Sequence, residues 1–370
     1  MKTYLYLLVL ISILFISCSK KESTPTDTSY DDIDYPIPDN STIDNVNAAN
    51  GDISAAIDAS DKIHVAYFSF NLGLKYATNK TGSWVATMIH PEDTNTTMSI
   101  YNDIALDSNG FVHIVYNASG LTLSDTSAIY YVTNKLGTWV RTTIASSIGS
   151  DFSGAGIAVA STGKVHIVYG NNSADLFYIN NLSGSWSGPA RIGSYWTGVR
   201  PRLALDANNN VYVAYEHGGE GTLHLQTISS TGSLILNSIL DGVPGSGDSR
   251  GWSPDIAINK TNGSVLIPYW NYGNKLLNLY DAGTISRVDS LVNWTDPAIV
   301  TDVNGKAYIC YTNLSTSELY LTSNKTGSWV KEKLPVSVIS RSSNLVVEST
   351  GKIDFIYCLK GANALKVVSK

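Results

Sequence analysis

The chain has 370 residues, of which 43% are hydrophobic and only 15% charged, with 22 Tyr, 8 Trp and 30 Gly; this is enough apolar material for one large packed body. A formal charge of −6 and a pI near 5.5 supply no basic face for phosphate, which excludes nucleic acid as a partner.

The first 40 residues read as an address and a spacer. Lys2 gives a positive end, residues 4–16 form an apolar stretch of 13 residues, and Ser17 precedes Cys18, the layout of an export signal. The stretch is shorter than the roughly 20 residues a bilayer crossing needs. The ending Leu14-Phe15-Ile16-Ser17-Cys18 resembles a bacterial lipobox. That resemblance implies a signal peptide over residues 1–18, lipidation of Cys18 and a protein anchored in the cell envelope, at the outer membrane or cell surface. Residues 19–40, rich in Ser, Thr, Asp and Pro, lack any apolar period and are expected to stay disordered. As a coil they would hold the body about 25 Å from its anchor.

From residue 41 onward one unit recurs. A short run such as Ile104-Ala105-Leu106-Asp107 is followed by the turn Ser108-Asn109-Gly110 and by a second run, Val112-His113-Ile114-Val115-Tyr116. The closing tyrosines are Tyr67, Tyr116, Tyr169, Tyr215, Tyr269, Tyr311 and Tyr357, at steps of 49, 53, 46, 54, 42 and 46 residues. This period predicts an all-β, seven-bladed β-propeller of four-stranded antiparallel blades over residues 41–370. In the second copy strand A is expected over 103–107, B over 111–117 and C over 129–134, with D opening at Gly137-Thr138-Trp139. The A strands repeat a small residue (Ala56, Ala105, Ala158, Ala204, Ala257), which suits the crowded axis; Val300 and Val346 replace it in the last two copies. The seventh copy ends after strand C. Residues 41–46 are therefore expected to supply its fourth strand by pairing with residues 365–368, because an open seam would leave an unpaired edge.

Ile104-Ala105-Leu106-Asp107-Ser108-Asn109-Gly110 followed by Tyr131-Val132-Thr133-Asn134 and Gly137-Thr138-Trp139 resembles the repeats of sialidase-like (BNR-type) bacterial propellers. The resemblance covers nearly everything after residue 50 and implies a fold, not an activity. The nearest approach to the family's Asp-box is Ser246-Gly247-Asp248-Ser249-Arg250-Gly251-Trp252, with Arg250 where the family has Gly.

Strand order places the A–B and C–D turns at one end and the longer, more varied B–C and D–A loops at the other, where a ligand is expected. One sector of that end is rich in rings and charges: Tyr195, Trp196, Arg200 and Arg202 lead into blade four, whose B–C loop has Glu216, His217 and Glu220. Asp248, Arg250 and Trp252 lead into blade five, whose B–C loop has Trp270 and Tyr272. Aromatic faces stack on sugar rings and Arg clamps carboxylates, so Trp196, Arg200, Arg202, Arg250, Trp252, Trp270 and Tyr272 are the candidate ligand-binding set. Glu216, His217 and Asp248 are the candidate acids and bases. The expected function is recognition of a glycan or other extracellular macromolecule, with membrane contact through the lipid only and no cofactor. The alternatives are a sialidase-like hydrolase or a lyase acting on acidic glycans, and a scaffold in an envelope complex.

His64, His113 and His166 share one place on strand B of three successive blades. Neighbouring sheets lie about 10 Å apart, too far for three nitrogens to meet one metal, so they read as packing residues. Cys310 and Cys358 flank equivalent tyrosines and are expected as free thiols, one in the interface of blades six and seven and the other in that of seven and one.

Overall fold

Side chains in the turns start the hairpins. Asp107 Oδ1 accepts the amides of Asn109 and Phe111 at 2.9 and 3.0 Å, and Asp58, Asp206 and Asp302 each take the corresponding pair in their own A–B turns. In the C–D turns Asn79, Asn134, Asn181 and Asn324 accept the first amide of strand B, from Ile63, Val112, Val165 and Ala307, at 2.7–2.8 Å. The glycine three residues on (Gly82, Gly137, Gly184, Gly327) turns the chain at φ of 83–96°, where a Cβ would be strained. Amides at the turns that no strand pairs are thus satisfied by the repeat itself.

The computed structural model describes residues 41–370 apart from 46–50, 93–95, 121, 123, 149–151, 172–174, 194–196, 247–248, 291, 294, 339–341 and 360–363, and only the backbone of 96–100 and 197–199. Among the described residues the strands form seven four-stranded antiparallel sheets. Blade one is Ile53–Ile57, Ile63–Ser69, Gly73–Thr78 and Val85–Pro91, and the next five repeat this order. In blade seven Asn344–Val347, Ile353–Cys358 and Leu365–Ser369 are completed by the N-terminal strand Ser41–Asp44. The register is Ser41 opposite Val367, Thr42 opposite Lys366 and Asp44 opposite Leu365. The expected closure is present; Val46 lies outside the described residues, as do Cys18 and residues 19–40.

Strand B is buried end to end in blade one, whereas strand D is mostly exposed, so the blade runs from the axis outward. The second A strand is longer than expected, Thr96–Leu106. Its loop-side half pairs with an equally extended B strand, Val112–Gly120, past an irregularity between Met98 and Asn102.

The core consists of seven clusters, one for each pair of neighbouring blades. The repeat tyrosines cross these interfaces. Tyr116 OH lies 3.0 Å from His90 Nδ1 on the outer strand of blade one, and Tyr311 OH donates to Asp289 on that of blade five at 2.7 Å. The three histidines are buried, each with Nδ1 2.6 Å from a strand C hydroxyl: Tyr76, Tyr131 and Tyr178. Tyr76 and Tyr131 in turn meet, edge to face at 5.1 Å, Trp139 and Trp186 of the following blade. Cys310 and Cys358 are buried free thiols in the 6/7 and 7/1 clusters respectively. Burial pushes the Cys310 thiol up to about 12, which makes it unreactive.

At the seam Tyr67 OH of blade one donates to Asp44 Oδ2 at 2.6 Å, and Lys75 Nζ pairs with the same oxygen. Asp44→Ala would leave the buried Tyr67 hydroxyl without its acceptor. It should cost about 1–3 kcal/mol, read as a shift in the urea midpoint at unchanged m-value. A midpoint unmoved by the substitution would show that the seam does not depend on this contact.

Candidate functional site

Aligned on strand A, the seven blades show two variable columns ahead of the apolar–Ala pair. One column reads Asp52, Tyr101, Gly154, Arg200, Ser253, Asp296, Ser342; the other, two residues on, reads Ser54, Asp103, Gly156, Arg202, Asp255, Ala298, Asn344. Residues two apart on a strand face the same way. Most of these residues line one cavity of about 160 Å³. It sits where the A strands begin, immediately after the D–A connections, and therefore at the loop-rich end.

The cavity holds opposed charges. Arg200 pairs with Asp296, donates to Ser253 Oγ at 3.1 Å and lies 4.8 Å above the Tyr101 ring. Arg202 reaches Asp52 at 3.2 Å and the Ala155 carbonyl at 3.3 Å. Burial disfavours the charged form of both guanidiniums, and the surrounding aspartates outweigh it, so that the net shift is upward. Asp103 accepts the amides of Ile104 and of Ile157 in blade three, and Asp255 accepts that of Ile299 in blade six at 2.8 Å. Burial raises both carboxyls, Asp255 to about 6, with Arg202 pulling the other way. Two strand entries are strained: Arg200 has φ 53° and Ser253 φ 46°, left-handed values that non-glycine residues rarely adopt. Gly154 lets the Arg200 backbone pack close, since a Cβ there would stand 3.1 Å from the Arg200 Cα.

The aromatic part of the expected set forms a separate group. Trp252 and Tyr272 stack at 5.7 Å and 27°, and Trp270 meets both edge-on. Trp270 is 2% exposed, while Tyr272 is 51% exposed. Trp252 and Trp270 exchange backbone hydrogen bonds at 3.0 and 2.9 Å. Ser249 secures the group: its hydroxyl accepts Trp252 Nε1–H at 2.6 Å, its carbonyl accepts the Tyr272 amide at 2.9 Å, and its side chain bonds the Glu216 carboxyl. The ledge joins the cavity through the chain, because Ser253 follows Trp252.

The expected residues thus divide. Arg200 and Arg202 enter the axial cavity, where aspartates of this chain engage them. Arg250 is held by Asp241 at 2.8 Å, which also accepts the Tyr269 hydroxyl. The three arginines are thus divided between two places, and each guanidinium pairs with an aspartate of this chain. Trp270 is a support beneath the ledge, leaving Trp252 and Tyr272 as the rings a ligand can reach. Glu216 is buried against Ser249, and burial pushes its carboxyl up to about 8. His217 faces Glu220 at 3.7 Å and the His224 ring at 5.3 Å. Neither Glu216 nor His217 lines the axial cavity, and Trp196, Asp248 and Tyr195 lie outside the described residues. Reading the loops missed Asp52, Asp103, Asp255 and Asp296; the signal was the polar, variable column ahead of an otherwise constant strand.

No protein-family model and no curated protein matches the chain. Among solved structures it is similar to the BP39L lectin of Burkholderia pseudomallei, with TM-score 0.61 and 12% identity over 86% of this chain and 98% of that one. AofleA of Arthrobotrys oligospora gives 0.53 and 12% over 81% and 90%. The Penicillium chrysogenum α-L-arabinanase complexed with arabinobiose gives 0.52 and 13% over 90% and 98%. At these identities the likeness establishes the β-propeller fold alone.

Two outcomes follow from the packing. Trp270→Ala should lower stability by about 3–5 kcal/mol, the cost of emptying a large core site, as measured by chemical denaturation. Glu216 has a folded-state pKa above its unfolded value, so its ionisation opposes folding, an effect absent below about 4.5 and complete above about 8. Glu216→Gln should therefore raise the melting temperature at pH 8 more than at pH 5; an equal change at both would contradict the burial of this carboxyl.

Proposed function

We propose that the chain is an envelope-anchored recognition module, related to the sialidase-like repeats, that binds a glycan on its loop-rich face. Cys18 carries the lipid, residues 19–40 are the tether, and the propeller presents the Trp252–Tyr272 ledge beside the axial mouth. The stacked pair is the observation that carries the reading. A half-exposed aromatic stack fixed by Ser249 and backed by a buried Trp270 is a pre-organised platform for the apolar face of a sugar ring. The fold supports it too, since one similar structure is a lectin and another an arabinanase with arabinobiose. Because Arg200, Arg202 and Arg250 are paired internally, the reading favours neutral over acidic glycans at the ledge.

A glycan array probed with residues 41–370 tests this. Trp252→Ala and Tyr272→Ala should each weaken a hit by about 1–3 kcal/mol, the contribution of a stacked aromatic contact; binding unchanged in both would move the site elsewhere. Metabolic labelling with a fatty-acid probe should mark the wild-type protein and not Cys18→Ala, and label retained in that variant would contradict the anchor. Hydrolysis is the second reading, favoured by one observation: Asp255 lines the cavity with its carboxyl raised to about 6, the range of a general acid. New reducing ends, lost in Asp255→Asn, would establish it; an array ligand recovered intact would exclude it for that ligand.

A further inference from the structure

Carboxyl groups outnumber guanidiniums in the axial cavity, and the imbalance selects what can enter. Four aspartates, Asp52, Asp103, Asp255 and Asp296, face two arginines, Arg200 and Arg202. Arg200 pairs with Asp296, and Arg202 reaches Asp52 while Asp103 is the strongest charge in its field. Asp103 and Asp255 are left to share the field of Arg202, and their hydrogen bonds come from backbone amides of their own and the next blade. These amides fix the carboxyl groups in place but bring no full charge.

We propose that this cavity binds a small polar ligand through a protonated amine, as on the free amino group of a single hexosamine ring, and rejects ligands bearing a carboxylate. The site is distinct from the Trp252–Tyr272 ledge and does not depend on it. Size sets the first limit, because a cavity of about 160 Å³ accommodates one six-membered ring. Charge sets the second. An ammonium would complete the balance that the two guanidiniums leave short, a neutral polyol would offer hydrogen bonds alone, and a carboxylate would add a further buried negative charge at high cost. Among the described residues no three His, Cys, Asp or Glu side chains converge on a common point as a metal ion would require. The compensating charge is therefore better supplied by a cation that reaches its partners through directed N–H donors. Ser253, Ser342 and Asn344 on the same wall offer partners for ring hydroxyls.

The arrangement is a poor way merely to close the axis. Buried ion pairs contribute little net stability compared with apolar packing, and the strained entries at Arg200 and Ser253 add to the cost. Strain and uncompensated charge retained around an open space mark a site shaped for a ligand.

Isothermal titration of residues 41–370 at pH 7 with glucosamine, N-acetylglucosamine, glucose and glucuronate tests the proposal. Glucosamine should bind at least tenfold more tightly than glucose or N-acetylglucosamine, and glucuronate most weakly. Asp255→Asn, which keeps an oxygen for the Ile299 amide, should remove most of the preference for glucosamine over glucose, with folding checked by thermal melting. The wild-type protein offers an independent arm. As pH falls from 7 to 5, Asp255 gains a proton, the negative excess shrinks and glucosamine affinity should fall at least threefold, although the amine stays charged. Equal binding of all four sugars, a preference for glucuronate, no binding of glucosamine, or affinity that is level or rising towards pH 5 would each overturn it.

Discussion

Tyr67 reaches out of blade one to Asp44, the last residue of the strand that completes blade seven, and the same crossing recurs from Tyr116 to His90 and from Tyr311 to Asp289. A blade of four strands buries little by itself. Its apolar faces become a core only when a neighbour is laid against each, so stability resides in seven interfaces and depends on the ring being closed. A strand contributed from the far end of the chain converts the last interface from an exposed edge into one more copy of the others. The hydroxyl of each crossing tyrosine needs a partner once it is buried, which fixes how neighbouring blades meet as well as that they meet.

Closure also creates the axial site. Residues distant in the chain, such as Asp52 and Arg202, come within 3.2 Å only because seven A strands surround one axis. Six of the blades line that space with residues of these two positions, and the repeat is free to vary them, since the blade is held by its turns, its interfaces and its outer strands. Four carboxylates and two guanidiniums are consequently gathered in a low-dielectric site, where Asp103 and Asp255 are pushed towards their protonated forms. The ledge of Trp252 and Tyr272 is a different device. It is local to blades four and five, and Ser249 ties it together within about twenty residues of chain.

The two regions differed in how far they could be read in advance. Trp252, Trp270 and Tyr272 were visible as a concentration of rings in loops, but nothing in their spacing told which ring would be buried. The backbone bridge between Trp252 and Trp270 decided that, turning Trp270 inward and leaving Tyr272 at the surface. Arg200, Arg202 and Arg250 were expected in one ligand-binding set because they lie in the connections leading into two successive blades. The fold divides them, sending two to the axis and pairing the third with Asp241, since partners for a charge are chosen by proximity in space. Asp296 and Asp52, the partners of Arg200 and Arg202, stand far away in the chain and gave no local sign of that role.

The amino-acid sequence by itself determined the repeat, the number of blades, the strand order and the origin of the closing strand. Each of these follows from short-range chemistry that recurs with a period: Asp and Asn in the turns, Gly at positive φ, alternating apolar runs and one tyrosine for each copy. Only the tertiary structure decided the site. Which charges face one another across the axis, which tryptophan lies beneath which ring, and which carboxyls are raised depend on contacts between blades, and the physical terms that set them, burial and Coulomb interaction, act through space and carry no period along the chain.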